Sequence, residues 1–222
     1  MSSVIKIRDA IRLYSDQGLG IRLFVRLRSL LGPLEVLENW VPQKGNILDV
    51  GCGHGLFTNY MALRAPSRNI VGVDPSPAKI EVAKRTESKV PNVHYLLGDI
   101  NDVLKGQRFD AITIVEVLYL IPEAKQREIL SICHQLLSDS GILVLKTQDT
   151  RPRWRYLWTY MQESIVVRVG LTRGGNGLHF LPVPKVRQIL EETGFLVEYH
   201  RLPSRIAYPN IAFVCRRRGY ES

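Results

Sequence analysis

Apolar positions along the chain change period several times, and each change marks an element. Val4, Ile7, Ile11 and Tyr14 recur at helical spacing with Lys6, Arg8 and Arg12 between them, which predicts a short amphipathic helix over residues 4–14. Two glycines within residues 16–20 break it. Leu23, Phe24, Leu27, Leu30 and Leu31, set against Arg22, Arg26 and Arg28, predict a second helix over 20–31, stopped by Gly32 and Pro33. Residues 34–40 read as a third helical piece. From residue 47 short apolar runs without alternation take over, at 47–50, 69–73, 93–97, 109–115 and 142–146, as in parallel strands covered on both faces. Helical stretches separate them: 56–64; 78–85, with Ser76 as N-cap and Pro77 at the first helical position; and 122–137, opened by Pro122. Residues 138–141 read as a turn before the fifth strand. A last helix, 184–192, is closed by Gly194, and strands 195–200 and 211–215 follow.

The stretch NILDVGCGHGLFT, residues 46–58, joins the first strand to the first of the intervening helices. Gly51, Gly53 and Gly55 give a turn whose backbone amides can approach a ligand. Asp49 ends the strand, where ligands of open α/β sheets lie in the crevice outside the strand ends. Asp74 ends the next strand, placed to accept hydrogen bonds from both ribose hydroxyls of an adenosine. A dinucleotide fingerprint requires a small residue three positions after the second glycine; Leu56 occupies that position.

The order Asp, any, Gly, any, Gly, any, Gly resembles the first motif of the class I S-adenosylmethionine-dependent methyltransferases. VGVDPS, LLGDI and FDAITIVEVLYLIP also match in order, so the resemblance covers residues 46–148. It implies an α/β, Rossmann-like doubly wound seven-stranded sheet whose last strand runs antiparallel. It also implies S-adenosyl-L-methionine as cofactor, held by Asp49, Gly51, Cys52, Gly53, Asp74, Pro75, Asp99, Ile100 and Glu116. Within that set Asp99 accepts from the adenine amine and Ile100 packs on the ring. Residues 1–42 are expected to form an N-terminal helical cap and 43–222 the methyltransferase domain, with a lid-like insertion at 147–182.

A length of 222 residues suits one α/β domain with short additions. Lys plus Arg number 30 against 21 Asp plus Glu, a net charge of +9 that attracts anions such as nucleic acid, acidic headgroups or an anionic small molecule. Cys52, Cys133 and Cys215 are odd in number and far apart, which argues against both a disulfide framework and a zinc site. With no long apolar run and no signal-peptide pattern, the expected setting is the cytoplasm, or its face of a membrane reached through the basic N-terminal helices. Those helices equally read as packing their apolar faces on the domain.

Methyl transfer is an in-line displacement, in which a protein base is needed only when the acceptor must lose a proton. Tyr119 and His179 are the candidates for that role; His179, in LHFLP, equally reads as a packed residue. His54 reads as a cofactor contact or a tolerated loop position, and Cys52 as small rather than nucleophilic. Trp154, Arg155, Trp158 and His179 are the candidate substrate contacts, from an aromatic and arginine-rich stretch that equally fits a core face. The pattern points to a small or lipid-like anionic acceptor methylated on O or N. RNA is the less favoured acceptor, because no nucleic-acid-binding motif is visible, and a non-catalytic cofactor-binding scaffold is the alternative from another class.

Overall fold

The computed structural model describes residues 5–103, 106–149, 178–203 and 210–219. Three helices come first: α1 (Ile7–Arg12), α2 (Leu19–Leu31) and α3 (Leu34–Glu38). Then strand and helix alternate through β1 (Gly45–Val50), α4 (Leu56–Arg64), β2 (Arg68–Asp74), α5 (Pro77–Lys84), β3 (Val93–Leu97), α6 (Ile100–Val103) and β4 (Phe109–Val115). After them come α7 (Glu123–Leu136), β5 (Leu137–Gln148), α8 (Val183–Glu192), β6 (Phe195–Arg201) and β7 (Asn210–Arg217). The seven strands form one sheet in the order β3-β2-β1-β4-β5-β7-β6. β7 runs antiparallel to both neighbours, and the other adjacent pairs are parallel. This is the doubly wound Rossmann-like architecture. Its strand order reverses beside β1, which places the ligand crevice at the carboxyl ends of β1 and its neighbours.

Alternating side chains of the central strands feed two cores. On one face Ile47, Ile70, Ala111, Val144 and Ala212 pack with Tyr14, Val25, Leu37, Met61 and Ile80, so α1 to α5 cover this side. On the other, Leu48, Ile112, Leu143 and Phe213 pack with Leu130, Cys133, Val186 and Ile189 from α7 and α8. The N-terminal helices are fastened to the first face by a buried arginine. The Arg68 side chain donates to the carbonyls of Pro42, Met61 and Val41 at 2.7, 2.7 and 2.8 Å. It also pairs with Glu38 Oε1 at 2.7 Å, while Glu38 Oε2 accepts from Arg64 at 3.1 Å.

Two local expectations are corrected. The turn over 138–141 is absent because β5 begins directly after α7, and its pairing with β4 is irregular between Phe109 and Ala111. Ser76 stands at the N-cap of α5 in extended conformation, but its side chain makes no capping bond. Its backbone amide instead donates to Asp74 Oδ1 at 2.9 Å.

Candidate functional site

Asp49, at the end of β1, is buried and braces the glycine loop. Its Oδ2 accepts from the Thr58 hydroxyl of α4 at 2.6 Å and its Oδ1 from the Thr113 hydroxyl of β4 at 2.7 Å. Burial holds the carboxyl up at about 6 despite the two hydroxyl donors, with the Asp74 charge adding to the rise. The loop itself needs glycine: Gly51 and Gly53 have φ of +70° and +59°. A Cβ on Gly51 would run into Val117, whereas one on Gly53 would meet nothing within 4 Å. That open space over Gly53 is where a ligand can lie directly on the backbone.

Asp74 is 5% exposed, and its two oxygens accept from the amides of Gly53, at 3.0 Å, and Ser76. Each carboxylate oxygen has a second lone pair for a ligand hydroxyl. Pro75 beside it is exposed. At the end of β3, Asp99 Oδ1 accepts from the Asn101 amide at 3.2 Å, and Ile100 is buried. The glycine loop, Asp74 and the Asp99–Ile100 pair therefore line the carboxyl ends of three adjacent strands. Open room, a rigid acidic acceptor and an apolar shelf fit an adenosyl cofactor.

The N-terminal helices close over the loop. The Tyr14 hydroxyl donates to the His54 carbonyl at 2.7 Å, and Phe24 packs on the His54 ring at 4.8 Å. Burial, with Lys79 nearby, lowers the His54 pKa to about 4, so the imidazole is neutral. Arg28 of α2 donates to the Val115 carbonyl at 3.4 Å and places a positive charge near Asp49. The sequence pattern puts Arg28 on a polar helix face and gives no sign that it turns inward. Burial and the nearby Asp49 and Asp74 push the Cys52 thiol well up, which disfavours the nucleophilic thiolate.

Beyond β4 lies a second, denser cluster. Glu116 has φ +63°, a strained conformation for a side chain of its size, and is buried. Its Oε1 pairs with the ammonium of buried Lys146, and its Oε2 accepts from the Tyr119 hydroxyl at 2.7 Å and from Gln148 Nε2 at 3.1 Å. Tyr119 stacks on Phe180 at 4.4 Å, and its carbonyl accepts from the His179 amide at 2.6 Å. The two candidate proton-transfer residues, sixty positions apart in the chain, thus stand side by side. Trp154, Arg155 and Trp158 lie outside the described residues.

Among the described residues, three buried side-chain atoms in this region lack a hydrogen-bond partner: Gln148 Oε1, Asn210 Oδ1 and His179 Nε2. Gln148 and Asn210 face each other across β5 and β7. Their amide orientations are fixed from behind, because Gln148 Nε2 donates to Glu116 and Asn210 Nδ2 donates to the Leu31 carbonyl at 3.5 Å. The ends left over are oxygens, which require donors. Neither residue was a site candidate from sequence, because both lie past the apolar runs that marked their strands.

The chain is similar to known proteins in sequence and in fold. A family model described as a methyltransferase domain matches residues 23–200. A ubiquinone biosynthesis O-methyltransferase from Coxiella burnetii is 36% identical over 136 residues, covering 60% of this chain. The match spans 56% of that relative's length. Among solved structures, magnesium protoporphyrin IX methyltransferase from Synechocystis PCC 6803, with bound SAH, superposes with a TM-score of 0.66 at 20% identity. The match covers 92% of this chain and 91% of that one. An O-methyltransferase family protein from Burkholderia thailandensis gives a TM-score of 0.68 at 15% identity, over 96% of this chain and 59% of that one. At these identities the two structures speak to the fold.

Proposed function

The chain belongs to the class I S-adenosylmethionine-dependent methyltransferases, and from that premise we propose that it O-methylates a small or lipid-like acceptor bound at the Glu116–Tyr119–Gln148–Asn210 cluster. The observation that carries the reading is the set of buried side-chain atoms without partners among the described residues, the acceptor oxygens Gln148 Oε1 and Asn210 Oδ1 together with His179 Nε2. Buried acceptors left unpaired cost about 1–3 kcal/mol each, so the site favours an acceptor that brings hydroxyl donors to them. The name of the Coxiella relative, an O-methyltransferase, supports the same chemistry.

S-adenosylmethionine supplies an electrophilic methyl group when bound. Asp74 would accept from the ribose hydroxyls, with Pro75 beside them, and Asp99 and Ile100 would receive the adenine. Asp49, Gly51, Cys52 and Gly53 would shape the floor under the methionyl part, and Arg28 would offer its carboxylate a cation. Glu116 closes the boundary between cofactor and acceptor. On the acceptor side, Gln148 and Asn210 orient the hydroxyl-bearing molecule, and the Tyr119–Phe180 stack gives it a flat apolar wall. His179, through Nε2, would take the proton that the acceptor hydroxyl gives up when it is methylated, provided that the ring carries its own proton on Nδ1. Alignment at near-attack distance supplies most of the acceleration.

A panel of phenols and catechols, with short and long alkyl chains, tests this by mass spectrometry of the products and release of S-adenosylhomocysteine. The reading expects methyl ethers, with Gln148→Leu and Asn210→Leu raising KM for them. Methylation confined to amines or to RNA would replace it.

A further inference from the structure

Helix α2 carries a row of large apolar side chains on its outer surface. Leu19, Leu23, Leu27 and Leu30 are 79%, 69%, 50% and 53% exposed, and their spacing keeps them on one face. Other exposed large apolar residues, such as Leu97 and Leu196, sit on separate strands. A contiguous stripe of four leucines on one helix is uncommon on a surface that faces water alone. Arg22 and Arg26 flank it along one side, and no acidic residue occurs between Leu19 and Leu31. Leucine and arginine without acid, over roughly 20 Å of helix, is the chemistry of a segment that lies in a bilayer interface. Among the described residues no helix is long and apolar enough to cross a membrane.

The other side of the same helix faces the site. Phe24 packs on His54, Arg28 reaches the Val115 carbonyl, and the Leu31 carbonyl accepts from Asn210. One helix of 13 residues therefore separates the outward leucine stripe from the crevice.

We propose that α2 docks the protein on an anionic lipid bilayer, with Leu19, Leu23, Leu27 and Leu30 in the headgroup–acyl boundary and Arg22 and Arg26 on the lipid phosphates. Charge decides between this occupant and a second copy of the chain. A symmetric dimer through the stripe would bring Arg22 and Arg26 towards their own copies, whereas an anionic surface neutralises them and complements a net charge of +9. Docking in this orientation brings the crevice beside the lipid, so that a lipid-like acceptor enters without crossing water. That last step rests on the O-methyltransfer reading; the docking itself does not.

The test is flotation of the full chain with vesicles of phosphatidylcholine alone and of phosphatidylcholine mixed with phosphatidylglycerol. Wild type is expected to float with the mixed vesicles, less so as salt rises, and poorly with the neutral ones. Leu23→Gln/Leu27→Gln is expected to lower partitioning about tenfold or more. S-adenosylhomocysteine affinity should be unchanged. Arg22→Gln/Arg26→Gln should remove most of the salt dependence. If the glutamine pair fails to fold by circular dichroism, Leu23→Ala/Leu27→Ala serves, with a smaller loss in the same direction. Absence of wild-type binding to the mixed vesicles, or equal binding by a folded leucine variant, overturns the proposal. So does sedimentation showing that the leucine variant dissolves a dimer. Turnover of a water-soluble phenol reads the O-methyltransfer reading separately, so either claim can fail alone.

Discussion

The Tyr119 hydroxyl donates to Glu116 Oε2 at 2.7 Å, on a carboxylate whose other partners are Lys146 and Gln148. Tyr119 is thereby held over the crevice in one orientation, with Phe180 stacked on it and His179 hydrogen-bonded to its backbone. Tyr119→Phe keeps the ring and the stack but loses this anchor. It is expected to lower kcat by about tenfold to a hundredfold while S-adenosylhomocysteine affinity stays within a few-fold. Steady-state kinetics beside calorimetry checks it; an equal loss in both would mean that Tyr119 serves the cofactor instead.

Glu116→Gln tests the buried ion pair in the same cluster. Lys146 would lose the charge of Glu116 while remaining 1% exposed. Breaking a buried pair on one side costs up to about 3–5 kcal/mol, so the variant's urea midpoint should fall. Glu38→Ala should show a loss of similar size for the same reason, because Arg68 has no exposed route for its charge. The Glu38 clasp lies away from the crevice, so cofactor affinity measured below the melting transition should survive its loss.

Asp74→Ala removes the acceptor proposed for the ribose hydroxyls and also releases the Gly53 and Ser76 amides. Affinity for S-adenosylhomocysteine should weaken by about 1–3 kcal/mol. Unchanged binding by calorimetry would remove Asp74 from the cofactor site.

Asp49 ties stability to pH. Its carboxyl is raised from 3.8 to about 6 by burial, so the native state holds a proton that the unfolded chain has released across that interval. The stabilisation is complete below 3.8 and is lost as pH rises through about 6, a difference of roughly 3 kcal/mol at most. Asp49→Asn cannot titrate, whereas His54, lowered from 6.5 to about 4 by burial, pulls both proteins the opposite way over this interval; the melting temperature of the variant minus that of wild type should therefore rise between pH 4 and pH 6.5, as differential scanning calorimetry would show.

Much of the fold was legible because local pattern decides it. The α4 helix and strands β3 and β4 fall where the pattern placed them, since short apolar runs with a helical stretch between them leave few alternatives. Strand ends were less legible. β5 runs on to Gln148 and β7 starts at Asn210, because ladder hydrogen bonds continue where the apolar run stops, and those extra residues carry the unpaired amide oxygens. The glycine loop and Asp74 could be read because a backbone-approach motif is contiguous. The acceptor cluster could not: Glu116, Lys146, Gln148, His179 and Asn210 meet only through strand order and a crossover. Glu38, Arg68 and Arg28 were invisible for a different reason, since a charged residue reads as exposed until its buried partner is known.

The most direct measurement is a single-turnover reaction with methyl-labelled S-adenosylmethionine and a hydroxylated aromatic acceptor, comparing wild type with His179→Gln. Label is expected in a methyl ether, with one S-adenosylhomocysteine released per ether formed and a His179→Gln rate well below that of wild type. Cofactor binding without label in any hydroxylated acceptor, or identical rates for the two proteins, would contradict the assignment.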